Sequence, residues 1–470
     1  MENSKFYNTV IKGDYCIGCG ICATVEDSPI EMELDNYGKI VPKIKDIYFN
    51  KKVEAKIEAI CPFSNEGPNE DELGQELFGK TNNYVDKLGY INSTFAGYVK
   101  ENNYRESGSS GGFGSWIVNY LLQENHIDAV VHIGSRKPTE SDSRVYEYKV
   151  SRTKEEIMEG AKSKYYPIEM SGIVNHISEN PGNYVLVGIP CFVKSIRTLA
   201  RHNPIIKDRV KFTVGLVCGH LKSKGFAEML GWQVGISPDR LTDIDFRTKL
   251  DGYGANQYGI TATEELNNKK LSKISGPVNE MYGTNWGLGF FKYKACDYCD
   301  DVTAETADIT IGDAWLPQYV SDYQGTNIII VRNPKFLTIL QSAQEKELIH
   351  IESLTADDAI LSQSSGLFHR REGLEYRLFK KDRKGDWRPK KRVEPRRVLP
   401  EKIEKVQDLR MLLAEKSHIA FLNAKEQGDF KVFTEQMGPL VNSYYKLYKK
   451  SFLTRVKQKL GRILKNGLNG

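Results

Sequence analysis

The sequence predicts an α+β protein: a small cysteine-rich unit, then a larger α/β domain with an appended C-terminal helical segment. Four of the eight cysteines lie in the first 61 residues. Strand-like apolar runs alternate with helical patterns in the middle of the chain, and two long helical patterns follow a basic stretch near its end. At roughly 100–200 residues per domain, a chain of 470 residues forms about two to four domains. The predicted units are residues 1–80, 94–215, 216–379 and 380–470.

The composition is typical of a soluble globular chain and not of a disordered or fibrous one, with 40% hydrophobic and 10% aromatic residues. The N-terminal residues contain no apolar segment of the kind that directs secretion. The uncharged run Ser107 to Gln123 is rich in Gly and Ser, and is shorter than the ~18–20 apolar residues of a membrane-spanning helix. We therefore expect a cytoplasmic protein.

The net charge of +5 conceals two basic segments. Residues 380–400 carry ten basic and three acidic side chains, and residues 446–465 carry eight basic and no acidic ones. Subtracting their charges of +7 and +8 leaves −10 for the rest of the chain. Neither segment contains a recognised nucleic-acid reader motif, so we expect no nucleic-acid partner.

The N-terminal cysteines have the spacing of a ligand set for one metal centre. Cys16, Cys19 and Cys22 are three residues apart, which suits separate disulfides poorly. A C-x2-C-x2-C run is typical of 4Fe-4S ferredoxins, and Cys61, followed by a proline, is the predicted fourth ligand. The alternative is a structural zinc site, although zinc usually binds paired C-x2-C motifs.

The other four cysteines are spread more widely. Cys191 and Cys218 each follow a strand-like run, at the end where α/β sheets place ligands. Cys296 and Cys299 form a C-x-x-C motif. These residues could form another four-thiolate site. The alternatives are inert core cysteines and, for the C-x-x-C motif, a thioredoxin-like redox pair.

A glycine-rich loop is a candidate anion site in the larger domain. It consists of Ser109, Ser110, Gly111 and Gly112, and opens onto a predicted helix, Trp116 to Glu124, whose N-terminus would favour a flavin pyrophosphate. A tight turn or helix cap explains the same residues. Downstream candidates for the same site are Lys162, Lys164 and Tyr165, for which the alternative is a surface turn, and Asp313, which is equally explained as a turn cap.

Six ordered sequence blocks resemble the beta-subunit family of coenzyme F420-reducing hydrogenases and dehydrogenases. They are the N-terminal cysteine motif with Cys61-Pro62, Ser109–Gly112, Lys162–Tyr165, Gly188–Cys191, Cys218-Gly219, and Cys296 to Trp315. The resemblance implies FAD and one or two 4Fe-4S clusters, the second held by Cys191, Cys218, Cys296 and Cys299. It further implies that residues 1–80 form a ferredoxin-like 4Fe-4S unit and that residues 94–379 form the two halves of a flavin-binding domain.

The chain also departs from the family pattern. Phe192 stands where many members have glutamine, and the sequence after about residue 330 matches only loosely. These differences leave the identity of the substrate undetermined. The candidates are coenzyme F420 or another deazaflavin, a nicotinamide, and another small molecule.

The resemblance implies an oxidoreductase that passes electrons between FAD and 4Fe-4S clusters. The predicted partner is a ferredoxin-like carrier or a partner redox subunit. We also expect Asp300 and Asp301, beside Cys299, to make a nearby cluster harder to reduce. One alternative is a reductase of an organic substrate linked to polysaccharide biosynthesis. Another is a non-catalytic interaction module stabilised by zinc.

The C-terminal quarter is predicted to be an arm with helices. Residues 384–400 are basic and contain prolines, as in an extended arm, and residues 401–425 and 430–450 have helical patterns. Residues 451–465 form a basic amphipathic pattern. Such a helix could lie on an anionic membrane surface, dock on an acidic partner, or pack on its own protein.

Overall fold

A computed structural model of the chain describes residues 4–45, 50–139, 142–266 and 269–448. The predicted amphipathic segment 451–465 lies outside them. No helix in these ranges combines the length and the apolar composition needed to cross a bilayer.

The strands match the alternating apolar runs of the sequence. In chain order they are β1 (Ile30–Leu34), β2 (Ile40–Ile44), β3 (Asn83–Val85), β4 (Gly89–Ile91), β5 (Ser93–Val99), β6 (Ala129–Ser135), β7 (Tyr146–Ser151), β8 (Tyr184–Gly188), β9 (Val210–Leu216), β10 (Leu241–Thr248), β11 (Gly259–Leu266), β12 (Lys269–Ile274), β13 (Ile309–Asp313), β14 (Asn327–Val331) and β15 (Ile349–Leu354).

The helices fall mainly between the strands and at the C-terminal end. They are α1 (Lys51–Ile60), α2 (Glu70–Phe78), α3 (Tyr104–Ser107), α4 (Phe113–Gln123), α5 (Lys154–Glu159), α6 (Ser171–Glu179), α7 (Pro190–His202), α8 (Pro204–Arg209), α9 (Lys224–Gln233), α10 (Pro317–Val320), α11 (Pro334–Glu345), α12 (Ala356–Ser362), α13 (Ser364–Arg370), α14 (Glu372–Lys384), α15 (Glu401–Gln427) and α16 (Phe430–Tyr448).

The centre of the molecule is an eight-stranded mixed sheet with the order β15-β5-β14-β13-β9-β8-β6-β7. Its four middle strands, β13, β9, β8 and β6, are parallel, and the outer pairings are antiparallel. One face packs on α4 and α11, and the other on α6 and α7. Because both faces are covered, strands such as β8 and β14 are apolar along their length. The mixed α/β class is therefore confirmed.

The sheet brings several predicted site residues to one edge. β8, β9 and β13 run in parallel, and β5 points in the same direction because two antiparallel pairings separate it from β13. Their carboxyl ends therefore lie on one edge, and this is where α/β sheets bind ligands. The segments that follow these ends contain Cys191, Cys218 and the glycine-rich loop, and Asp313 is the last residue of β13.

Smaller units surround this sheet. β1 and β2 form an antiparallel hairpin in register from Ile30–Ile44 to Leu34–Ile40, and α1 follows it. A separate antiparallel sheet, β10-β11-β12, lies after α9. At the C-terminal end, α15 and α16 cover both of the predicted helical segments.

Candidate redox site

The first cysteine quartet, Cys16, Cys19, Cys22 and Cys61, forms a group around two left-handed glycines. Gly18 and Gly20 have φ of +74° and +79°, so the chain between the cysteines curls tightly. The Gly18 N–H donates to Cys16 Sγ at 3.3 Å. Cys61 directly follows the last residue of α1, and this helix brings Cys61 close to the other three cysteines.

The four thiols are close enough for their charges to act on one another. Burial is the main cause that raises the pKa of Cys22, and the thiolates of Cys16, Cys19 and Cys61 raise it further. Burial also raises the pKa of Cys61 to about 12. Such thiols lose their protons only to a strong positive centre, as metal ligation provides. Among the described residues, no three His, Cys, Asp or Glu side chains are gathered tightly enough for a single metal ion.

The second quartet, Cys191, Cys218, Cys296 and Cys299, also forms a group. Burial raises the pKa of Cys191, and the charges of the other three thiols act in the same direction. Cys191 lies in the first turn of α7, and Cys296 lies in a 3-10 turn, Lys294–Tyr298. The Leu221 N–H donates to Cys296 Sγ at 3.3 Å. The fold thus brings together cysteines separated by more than 100 residues.

One side chain connects the two quartets. Ser195 Oγ donates to the main-chain oxygen of Cys191 at 2.7 Å and lies 3.6 Å from Cys19 Sγ. Ser195 is fully buried, one turn along α7 from Cys191. Ser195 was not among the predicted site residues, although its i+4 spacing from Cys191 places both on one helix face.

The second quartet faces a buried arginine, Arg370, at the end of α13. Its Nη2 donates to the Gly219 carbonyl at 2.5 Å, while its Nη1 is buried without a hydrogen-bond partner. Buried charges are normally paired, so an orphaned guanidinium nitrogen fits an anionic centre held by the adjacent thiolates. The only sequence signal was the basic run His369–Arg371, in the region that resembles the family only loosely.

The acidic pair beside Cys299 is not a free negative charge. Arg392 and Lys391 of the basic arm approach the Asp300 carboxylate at 3.2 and 3.7 Å, with side chains only 4% exposed. Burial would raise the pKa of Asp300, but these two cations hold it well below its usual range. The expectation that this pair makes a cluster harder to reduce therefore loses its physical basis for Asp300.

The predicted flavin contacts lie together, and their local roles are resolved. The Ser163 N–H donates to Ser109 Oγ at 2.8 Å, which joins the glycine-rich loop to the Lys162–Tyr165 segment. Lys162 Nζ pairs with Asp245 at 2.5 Å. The Lys164 ammonium lies 4.9 Å from the centre of the Tyr146 ring, and burial lowers the pKa of Lys164.

The two glycines of this loop are required by backbone packing. A Cβ on Gly111 would lie 2.6 Å from the Gly97 oxygen, and Gly112 has φ of +90°. Ser110 Oγ donates to the Thr326 oxygen at 3.0 Å. The first N–H of α4, on Phe113, donates to a side chain, Asn327 Oδ1, at 3.2 Å. These contacts match the tight-turn explanation of the glycines.

Arg247, on β10, is the main polar group that sequence analysis missed here. It is 3% exposed, pairs with both Asp313 oxygens at 2.9 and 3.2 Å, and donates to Tyr165 Oη and the Ser109 oxygen. Its Nε is buried without a partner. Asp313 thus orients a cation, and the free Nε proton fits an electron-rich ligand such as a flavin.

An open cleft lies beside Trp315. Its volume is about 820 Å³, and Trp315, Tyr253 and Tyr323 contribute aromatic walls. The Arg247 guanidinium lies 5.9 Å from the centre of the Trp315 ring. The volume of the cleft is within the ~300–1,000 Å³ of small-molecule sites, and the aromatic walls of the cleft suit a flat ring system.

Trp286 lies between the Lys162–Tyr165 segment and the second quartet. Its ring centre lies 5.0 Å from that of Tyr165 and 4.5 Å from that of His220. His220 is two residues from Cys218, and its Nε2 is buried without a hydrogen-bond partner. The predicted flavin segment, the second quartet and the first quartet therefore form a continuous series through Trp286 and Ser195.

Comparison with known proteins gives relatives of low identity. An uncharacterized protein of Methanocaldococcus jannaschii is 24% identical over 262 residues, which is 53% of this chain and 84% of that protein. The coenzyme F420-dependent sulfite reductase of the same organism is 20% identical over 364 residues, or 74% of this chain. This chain spans about half of that reductase, 49% of its length.

A solved structure is also similar. A chain of the F420-reducing NiFe hydrogenase complex from Methanosarcina barkeri is 17% identical with a TM-score of 0.46, and the match covers 63% of this chain and 96% of that one.

Family models match the middle of the chain directly. The N-terminal model of the coenzyme F420 hydrogenase/dehydrogenase beta subunit matches residues 94–175, and the C-terminal model matches residues 182–357. Together they cover more than half of the chain, and they include the glycine-rich loop and the second quartet. The chain belongs to the coenzyme F420 hydrogenase/dehydrogenase beta-subunit family.

Proposed function

We propose that this chain is an oxidoreductase that holds two 4Fe-4S clusters in its cysteine quartets and FAD beside Arg247. The Ser195 contact carries the proposal, because one hydroxyl group lies beside Cys191 of the second quartet and Cys19 of the first. When bound, a flavin exchanges two electrons with an organic substrate and single electrons with iron–sulfur centres.

The chain's own residues have separate roles in this proposal. Arg247 and Tyr165 bind and orient the flavin, with Asp313 holding the guanidinium in place. Trp286 excludes water between that site and the second quartet. The cleft at Trp315 admits a flat substrate, such as a deazaflavin or another small molecule.

The partner would be a ferredoxin-like carrier or another redox subunit that approaches the first quartet. Cys16 and Cys61 are half-buried, as are Cys191 and Cys218 of the second quartet, so the choice of the first quartet rests on its place in the N-terminal unit. A cytoplasmic location fits such a partner.

Reciprocal cysteine variants test the assignment. We expect anaerobically purified protein to contain FAD and about eight iron atoms per chain, and Cys61→Ala and Cys299→Ala each to lose about four while FAD remains bound. Electron paramagnetic resonance spectra then identify which centre each variant lacks. A colourless protein with stoichiometric zinc and no flavin would contradict the proposal and favour the interaction module.

A further inference from the structure

Arg370 is a buried cation that differs from its two sequence neighbours, each of which lies beside a carboxylate. The His369 ring lies 3.5 Å from Asp297, and Arg371 pairs with Glu305 at 3.0 Å. Arg370 is 2% exposed and, within the described part of the chain, forms no ion pair with a carboxylate. The end of α13 therefore directs one guanidinium toward the cysteines.

The thiols of the second quartet are the charges that act most strongly on Arg370. Burial lowers the pKa of its guanidinium, but the negative charges of Cys299, Cys296, Cys218 and Cys191 outweigh burial and raise it. The geometry agrees with this attraction: Arg370 Nη2 donates to the carbonyl of Gly219, the residue after Cys218, and Nη1 is buried without a hydrogen-bond partner. The guanidinium therefore lies beside the second quartet.

The two quartets differ in the cations beside them and not in carboxylates. Burial is the main cause that raises the pKa of Cys19 and of Cys299; Glu169 raises the first further, and Asp300 and Asp301 raise the second. Lys194 acts on Cys61, but it is itself paired with Glu70 at 3.1 Å. No unpaired buried guanidinium faces this quartet in the residues that the structure describes.

This difference has a consequence for electron transfer. Each electron that enters an iron–sulfur centre adds one negative charge, and a buried cation in a medium of low dielectric constant stabilises the reduced form. We propose that Arg370 raises the reduction potential of the centre in the second quartet above that of the centre in the first. The second quartet is then the electron acceptor of the pair. This inference rests on the proposed function.

The test uses three substitutions of Arg370 in the full-length protein, purified anaerobically. Arg370→Met removes the charge and the hydrogen bond to Gly219, Arg370→Gln keeps a hydrogen-bond donor without charge, and Arg370→Lys keeps the charge. Potentiometric titration followed by electron paramagnetic resonance measures both centres. We expect Met and Gln to weaken reduction of one centre at least tenfold, which is about 59 mV for one electron, and Lys to retain most of the wild-type potential.

Arg209→Met is the matched control. Arg209 is half-buried and donates to the carbonyls of Ile177 and Ser178, away from both quartets. We expect both potentials to stay as in the wild type. Loss of the second centre from Met and Gln but not from Lys would also support the role of the charge.

Several results would overturn the inference. They are unchanged potentials in Arg370→Met with full iron content, a wild-type potential in Arg370→Gln, or loss of the second centre from all three variants. Wild-type protein without iron would instead contradict the proposed function, so the two failures are distinguishable.

Discussion

Ser195 is the residue through which the two quartets make contact. Its hydroxyl is fully buried and reaches both the Cys191 carbonyl and Cys19 Sγ. Its single proton is donated to one of them at a time, and donation to a ligating sulfur disperses negative charge and raises the potential of an iron–sulfur centre. With clusters in the quartets as proposed, Ser195 would therefore affect the first centre although it belongs to the helix of the second.

Replacing Ser195 should change one potential without removing iron. We expect Ser195→Ala to keep about eight iron atoms per chain and to lower the potential of the first centre, because Cys19 loses its hydroxyl neighbour. Ser178→Ala is a close control, since Ser178 Oγ donates to the Val174 carbonyl at 2.9 Å with the same i−4 geometry. Equal potentials in the two variants would argue against this role for Ser195.

His132 should make the stability of the molecule depend on pH. Burial lowers its pKa from 6.5 to about 4, and its Nε2 lies 2.8 Å from Ser151 Oγ. Between these values the unfolded chain binds a proton that the folded chain excludes, so stability is lost as the pH falls from about 6.5 to 4. The loss is about 3 kcal/mol. His132→Gln should flatten this part of a denaturation-against-pH curve, and an unchanged slope would exclude His132 as its cause.

At the scale of elements, the C-terminal helical hairpin is anchored by aromatic side chains. Phe433 of α16 is fully buried, and its ring centre lies 5.4 Å from that of Phe421 on α15 and 5.7 Å from that of Phe291 in the core. The hairpin therefore continues the hydrophobic core and is not a detached appendage.

Truncation of Phe433 should destabilise the hairpin. We expect Phe433→Ala to lower the free energy of unfolding by about 3–5 kcal/mol, since it removes a fully buried ring. Leu412→Ala, on the same hairpin and 36% exposed, should cost less than about 1 kcal/mol. Chemical denaturation measures both, and similar values would contradict the anchoring role.

Predicted elements were accurate where local patterns are strong. Helices α15 and α16 begin at Glu401 and Phe430, the predicted first residues, because their apolar residues match the helical period. Helix α2 begins at Glu70, in a segment of polar composition. Its signal was a capping box in which Asn69 and Glu72 satisfy each other's backbone N–H groups. Polar composition concealed that signal.

At the scale of the whole molecule, the basic arm closes the structure around the second quartet. Residues 386–400 lack regular secondary structure, as predicted for an arm. Arg392 nevertheless binds Glu305 at 2.6 Å, Asp71 at 2.8 Å and Asp300 at 3.2 Å. The arm thus ties the N-terminal unit to the segment that follows the C-x-x-C motif.

Removing Arg392 should loosen this closure. We expect Arg392→Met to cost about 2–3 kcal/mol of unfolding free energy, because Glu305 and Asp300 each lose one buried cation and keep another, Arg371 and Lys391 respectively. Arg388→Met is the control in the same arm: Arg388 pairs with Asp382, which is 43% exposed, and should contribute less than about 1 kcal/mol. Limited proteolysis of the arm gives a second measurement. Equal resistance of both variants would show that the closure does not depend on Arg392.

The short-range chemistry of this protein can be read from its sequence: the C-x2-C-x2-C motif, the C-x-x-C motif, the main helices and strands, and the family. These features depend on spacing along the chain, which a single sequence displays. Only the tertiary structure decided that Ser195 bridges the quartets, that Arg247 is oriented by Asp313, that Arg370 faces four thiols, and that the basic arm pairs with Asp300. Each of these contacts joins residues far apart in the chain, and the charge or hydrogen bond of one side chain has a consequence only when burial brings its partner close.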